Sequence, residues 1–112
     1  MVRKPKQGEV ILLDLSPVAG YEQGGTRPCV VVSNDEWIRV SNVFAVVPLT
    51  THMKPFPFHI EVNPAGGKPS QALLQHVRSV DISQRTWKHL SYISRSEMKQ
   101  ISDTLRAMFG TR

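Results

Sequence analysis

What most limits the fold of this chain is a succession of short apolar runs, each cut off before it can become a helix. EVILLDL (9–15), PCVVVS (28–33) and VFAVVPL (43–49) are rich in β-prone residues. They read as strands buried on much of both faces. Ser16, Pro17, Gly20, Gly24 and Gly25 interrupt the chain after the first run. Asn34-Asp35 does so after the second, with a single helical turn over 36–39. Pro48 inside the third run implies a sheet edge, a bulge or the strand's end. FHIEV (58–62) alternates as a half-exposed strand does, and NPAGGKP (63–69) is a turn. A fifth strand is expected over 71–77 and 79–82, bent around Arg78, and a short sixth over 89–93.

Only at the end does the period change. Ser94 to Glu97 fits a capping box, and Met98, Ile101, Leu105 and Met108 follow at helical spacing until Gly110. The stripe from Met98 to Phe109 is expected to face the core. The expected fold class is therefore mainly β, with one C-terminal helix. A compact barrel is the natural way to hide so many strand edges.

The 112 residues make one domain, 1–112, of ordinary globular composition: 40% hydrophobic and 21% charged. No apolar stretch approaches the roughly 20 residues of a membrane span. The start, MVRKPKQGEV, is basic but has no apolar segment before a cleavage site, so it is not a secretion signal. The lone Cys29 excludes an internal disulfide and reads as a small core residue. A cytoplasmic protein is expected. The net charge of +5 favours polyanionic partners, nucleic acid among them. The basic residues are scattered, and the one cluster, Arg3, Lys4 and Lys6, reads as a solvated tail.

Several chemistries lack their residues. The histidines at 52, 59, 76 and 89 have no HxH or HExxH spacing, and the acidic residues are dispersed, so no metal site is expected. There is no phosphate-binding glycine loop and no Gly-x-Ser-x-Gly, so no nucleotide cofactor and no serine nucleophile are expected. Arg27 remains. It ends the turn-rich GYEQGGTRP, and Pro28 biases it toward extended backbone angles at the lip of a strand. From there a guanidinium can grip a phosphate in bidentate fashion, or make a local salt bridge with Glu22. The residues alone leave both open.

GEVILLDLSPVAGYEQGGTRPCVVVSN resembles the opening of the MazF/PemK toxins of bacterial toxin–antitoxin systems. The likeness continues in VVPLTT (46–51) and ALLQHVRSVDISQR (72–85), and ends in HLSYIS before the last helix. E-Q-x-G-x-R-P, P-L-T-T and Q-x-V-R-S-V-D are specific in this order and spacing. The resemblance implies a small SH3-like β-barrel of the CcdB/PemK kind with a C-terminal helix, and a homodimer. It also implies a metal-independent endoribonuclease that cuts single-stranded RNA to 2′,3′-cyclic phosphate and 5′-hydroxyl ends. The flexible segment of a cognate antitoxin would cover the RNA site.

By the same matching, Arg27 and Thr50 are the catalytic pair. Arg27 would stabilise charge on the phosphate oxygens and supply the leaving group's proton, although a guanidinium gives protons up reluctantly. Thr50 would orient the phosphate; by itself it reads as a hydroxyl capping a strand end. Glu22, Arg27 itself and His52 are the candidate bases, with His52 favoured as a substrate contact. Gln23, Thr51, Gln75 and Arg78 complete the expected RNA-binding set. Arg78 either binds phosphate or pairs with Asp81. Gln75 and His76 stand where relatives often carry an acidic residue and a glutamine, which weakens any carboxylate-assisted route through residue 75. Tyr21, Phe56 and Phe58 flank loops and could stack on unpaired bases, with core packing favoured for Phe58. The rival readings are a CcdB-like gyrase poison, for which MFGTR lacks the late tryptophan, and a non-catalytic single-stranded nucleic-acid binder.

Overall fold

The computed structural model describes residues 3–16, 20 and 24–111. Its elements are β1 (Glu9–Asp14), β2 (Thr26–Val31), α1 (Asp35–Val40), β3 (Val43–Thr50), β4 (His59–Val62), β5 (Ser70–Leu73), β6 (Arg78–Asp81), β7 (Trp87–Tyr92) and α2 (Arg95–Phe109). The strand expected over 71–82 is two strands, parted by a 3-10 turn at Leu74–His76. The helical turn after Asn34 is α1, and the Asn34 side chain caps it by accepting from the Trp37 N–H. The capping box of α2 forms in both directions between Ser94 and Glu97.

The strands follow the order β4-β5-β3-β2-β1-β7, and β6 pairs with β3 off that path. All pairings are antiparallel. Among the described residues the path does not close into a continuous ladder. Instead, the turn after β4 meets the free edge of β7, where Ala65 N–H donates to Tyr92 O at 3.1 Å and Ser91 Oγ donates to Ala65 O. The expected barrel is thus a curved sheet whose ends touch through a turn.

Strand alternation divides the apolar side chains between two cores. On one face, Val10, Val30, Val47, Leu49, Ile60 and Ala72 pack against Met98 and Ile101 of α2. On the other, Ile11, Leu13, Cys29, Val31, Phe44 and Val46 pack with Ile38 of α1 and Val80. The apolar runs are nearly continuous because both faces are buried. Leu105 and Met108 pack partly against the first core, whereas Phe109 is exposed and ends the expected stripe one residue early.

Pro48 lies in the middle of the sheet rather than at an edge. β3 pairs with β2 on one side, and on the other with β6 at Val43 to Val46 and then β5 at Leu49 and Thr50. Val32 N–H donates to Ala45 O at 3.0 Å. Alternation from that bond makes Cys29 and Pro48 a non-hydrogen-bonded pair. The nitrogen of Pro48 therefore faces the other side, at the changeover between β6 and β5, where no ladder donor is needed.

The N-terminal basic cluster is not a loose tail. Lys4 Nζ donates to Ile38 O at 2.9 Å and Ser41 O at 3.2 Å, covering carbonyls at the end of α1. Arg3 binds the buried Glu9.

Candidate active site

The β2–β3 ladder pairs Val31 with Val46, Val30 with Val47 and Cys29 with Pro48. Carried two residues further, the same register sets Arg27 opposite Thr50. Both then belong to the sheet face of Cys29, Val31 and Val46, at the margin of the second core. The fully buried Leu13 pairs with Arg27 from β1, and Gln71 pairs with Thr50 from β5. The half-buried Arg27 and Thr50 are thus mounted on central strands with apolar support behind them.

Each side chain is held at one atom and open at another. Arg27 Nε donates to Gly24 O at 3.0 Å. Gly25, at φ 74°, takes the left-handed turn that returns the chain into β2. Among the described residues the Nη1 and Nη2 ends of Arg27 have no hydrogen-bond partner, and these are the ends that form a bidentate phosphate grip. Thr50 Oγ1 accepts from His52 N–H at 3.0 Å. That is the strand-end cap read from the sequence, and it leaves the hydroxyl proton for another acceptor. Capping and phosphate binding are compatible at this residue.

Arg78 lies on the same face, opposite Val46 on β3. It does not pair with Asp81: residues three apart on a strand point to opposite faces. Its Nη1 donates to Leu15 O at 2.9 Å, while Asp81 accepts from Ser83 N–H and Ser83 Oγ. Arg85, which sequence reasoning did not single out, donates from Nη1 to Asp14 O at 2.7 Å and Ser16 O at 3.1 Å. Together they clasp the end of β1 where the loop toward Arg27 begins. Between the arginines lies Cys29. Burial pushes its thiol up to about 12, against the opposing pull of Arg27 and Arg78. It is a packed thiol rather than a nucleophile.

The other expected contacts disperse. Thr51 is exposed and lines a cleft of about 320 Å³ with Pro28, Leu49 and Leu90, on the opposite face from Thr50. His52 is exposed at the start of the β3–β4 loop. Gln75 Nε2 donates to His59 Nε2 at 2.9 Å, so its amide is engaged within the protein. Phe58 is exposed, edge-to-face with Phe56 at 6.0 Å, and is not core. His76 is half-buried. Glu22, Gln23 and Tyr21 lie outside the described residues. Among the described residues no three His, Cys, Asp or Glu side chains gather as a metal site would require. No described helix is long and apolar enough to cross a membrane.

Residues 6–109 match the family described as PemK-like, MazF-like toxin of type II toxin-antitoxin system. The chain is 34% identical over 110 residues to a protein named endoribonuclease MazF from Staphylococcus saprophyticus, covering 94% of this chain and 91% of that one. A crystal structure of MazF from Deinococcus radiodurans superposes with a TM-score of 0.86 at 28% identity, covering 96% of this chain and 97% of the other. A MazE–MazF structure from the same organism superposes with a TM-score of 0.80 at 26% identity, covering 96% and 98%. The chain therefore belongs to the PemK-like, MazF-like toxins of type II toxin–antitoxin systems.

Proposed function

We propose that this chain is the toxin of a toxin–antitoxin pair and that it cuts single-stranded RNA without a metal. The observation that carries the reading is the β2–β3 register, which, carried two residues further, sets Arg27 opposite Thr50 on one sheet face, while among the described residues the Nη ends of Arg27 have no hydrogen-bond partner. Family membership and the endoribonuclease name of the staphylococcal relative support it.

The chemistry suits the pair. The substrate's 2′-oxygen attacks the adjacent phosphorus, the 2′-O–P bond forms and the P–O5′ bond breaks. The products are a 2′,3′-cyclic phosphate and a 5′-hydroxyl end. Arg27 binds the non-bridging oxygens, where charge grows as attack proceeds, so its grip is stronger in the transition state than in the ground state. Thr50 donates to the same phosphate and fixes the line of attack. Glu22 or Arg27 itself takes the 2′-proton, Arg27 supplies one to the 5′-oxygen, and His52 contacts substrate. Arg78, on the face of Arg27 and Thr50, borders the RNA path. The protein works as a cytoplasmic homodimer, and the flexible segment of a cognate antitoxin covers the RNA site.

The test is incubation with long single-stranded RNA in excess EDTA, beside an Arg27→Ala variant of unchanged fold. Discrete fragments with cyclic-phosphate ends are expected from the wild type and almost none from the variant. Intact RNA in both lanes would leave a non-catalytic binder. Equal cleavage in both would remove Arg27 from the mechanism.

A further inference from the structure

The β3–β4 loop, residues 51–58, is exposed along its whole length, yet its backbone is pinned at several points. Lys54 N–H donates to Oε1 of the buried Gln71 at 2.8 Å, and Lys54 O faces His59 Nδ1 at 3.1 Å. Phe56 O accepts from His59 N–H at 3.0 Å, and the turn so closed brings the Phe56 ring to 5.0 Å from the His59 ring. A carbonyl only accepts, so His59 Nδ1 must carry a proton. The Gln75 amide nitrogen only donates, so His59 Nε2 must not. Both contacts demand the same Nδ1–H tautomer, and together they fix the plane of the ring.

This assembly sits on the face that carries the candidate catalytic pair. Thr50 pairs with Gln71 and Leu73 pairs with His59, so alternation puts Thr50, Gln71 and His59 on one side of the sheet. Two strand spacings and two residues along β5 separate Thr50 from His59, roughly 12 Å between Cα atoms. A single strand spans that in roughly two to four nucleotides. Phe56 is 47% exposed, although the contacts around it hold it in a set position. An exposed aromatic ring that is held in place fits a flat ligand better than a folding role does.

We propose that Phe56, backed by His59, is a stacking subsite for one unpaired RNA base near the scissile phosphate, and that Gln75 is a positioning residue that sets it through the His59 ring. The inference rests on the ribonuclease reading for its ligand. It assigns Gln75 to the loop rather than to direct RNA contact.

The test uses the full chain and a 2′-O-methyl single-stranded oligonucleotide, which binds but cannot be cut. Phe56→Ala is expected to weaken its binding about tenfold with no change in melting temperature, and Phe56→Trp to restore it. Gln75→Ala is expected to weaken binding about fivefold, alter the base preferred beside the cleavage site, and move the His59 ring nitrogens away from the Nδ1–H pattern in ¹⁵N NMR. Equal binding by wild type and Phe56→Ala overturns the subsite, whatever the cleavage result. An unchanged His59 spectrum and base preference in Gln75→Ala overturns the positioning role. Binding that depends on Phe56 in a protein that never cuts RNA supports the subsite and counts against the ribonuclease reading alone.

Discussion

His89 Nδ1 donates at 2.8 Å to Oε2 of Glu9, whose side chain is wholly removed from solvent. Arg3 Nη2 reaches both oxygens of the same carboxylate at 3.0 Å, and Lys6 N–H donates to Oε1 at 3.0 Å. Arg3 also lies 5.6 Å from the centroid of Trp87. One buried carboxylate thus joins the N-terminal arm, β1 and β7. It also strengthens Arg3's hold on its proton, chiefly through their hydrogen bond.

Glu9→Gln keeps the shape but leaves an amide among donors. It is expected to lower unfolding stability by about 2–3 kcal/mol, measured by urea denaturation. Arg3→Ala is expected to cost less, because the Arg3 side chain is half exposed and Lys6 and His89 remain. A Glu9→Gln protein as stable as wild type would show that the network adds nothing to the fold.

The α2 cap carries a pH dependence. Burial works to raise the Glu97 carboxyl, but hydrogen bonds from Ser94 and Asn63 outweigh it and hold it below the ordinary carboxylate range. Because the folded value is depressed, this stabilisation is complete above the unfolded-state value and is lost as pH falls through the folded one. Stability measured from pH 6 downward is expected to fall in wild type more steeply than in Glu97→Gln, which keeps the cap without the titration. Parallel curves would assign the acid sensitivity elsewhere.

At Thr50 the two hydroxyl roles can be separated. Thr50→Ser keeps both and is expected to stay within about threefold of wild-type kcat, while Thr50→Val should lose about 10²-fold or more with a small loss of stability. Single-turnover cleavage beside thermal melting reads both. Full activity in Thr50→Val would reduce Thr50 to a strand cap.

Arg85 is expected to act through the loop it holds. Arg85→Ala frees the Asp14 and Ser16 carbonyls and should lower kcat/KM about tenfold, with faster proteolysis within residues 16–26. Unchanged proteolysis with reduced activity would point instead to direct contact with RNA.

The proton acceptor is identified by its pH profile. Glu22→Gln is expected to lose about 10²-fold or more in kcat and the acidic limb of the pH–rate curve, while His52→Ala should raise KM and spare kcat. The reverse pattern would make His52 the base.

The strands and the last helix were legible because local patterns encode them. β-prone apolar runs, turn residues and the Ser94–Glu97 box act within a few residues, and the observed elements begin and end within about two residues of the expected ones, except that the strand expected over 71–77 ends at Leu73. Cys29 as inert core was legible too, since its neighbours are apolar. Glu9 carried an unused signal: a carboxylate inside a run read as buried must find partners. Arg85 had no local signal at all, because the carbonyls it binds are some seventy residues away.

The sequence by itself determined the order and kind of the elements, the family likeness and the candidate pair Arg27 and Thr50. Only the tertiary structure decided that Pro48 lies at a change of strand partners, that Arg78 turns to Leu15 instead of Asp81, and that Gln75 is spent on His59. The physical reason is one of range. Strand and helix preferences are set by neighbours a few residues apart. The partner of a proline nitrogen, a guanidinium or an amide is set by which strands pair and in what register, and that register exists only once the distant segments have met.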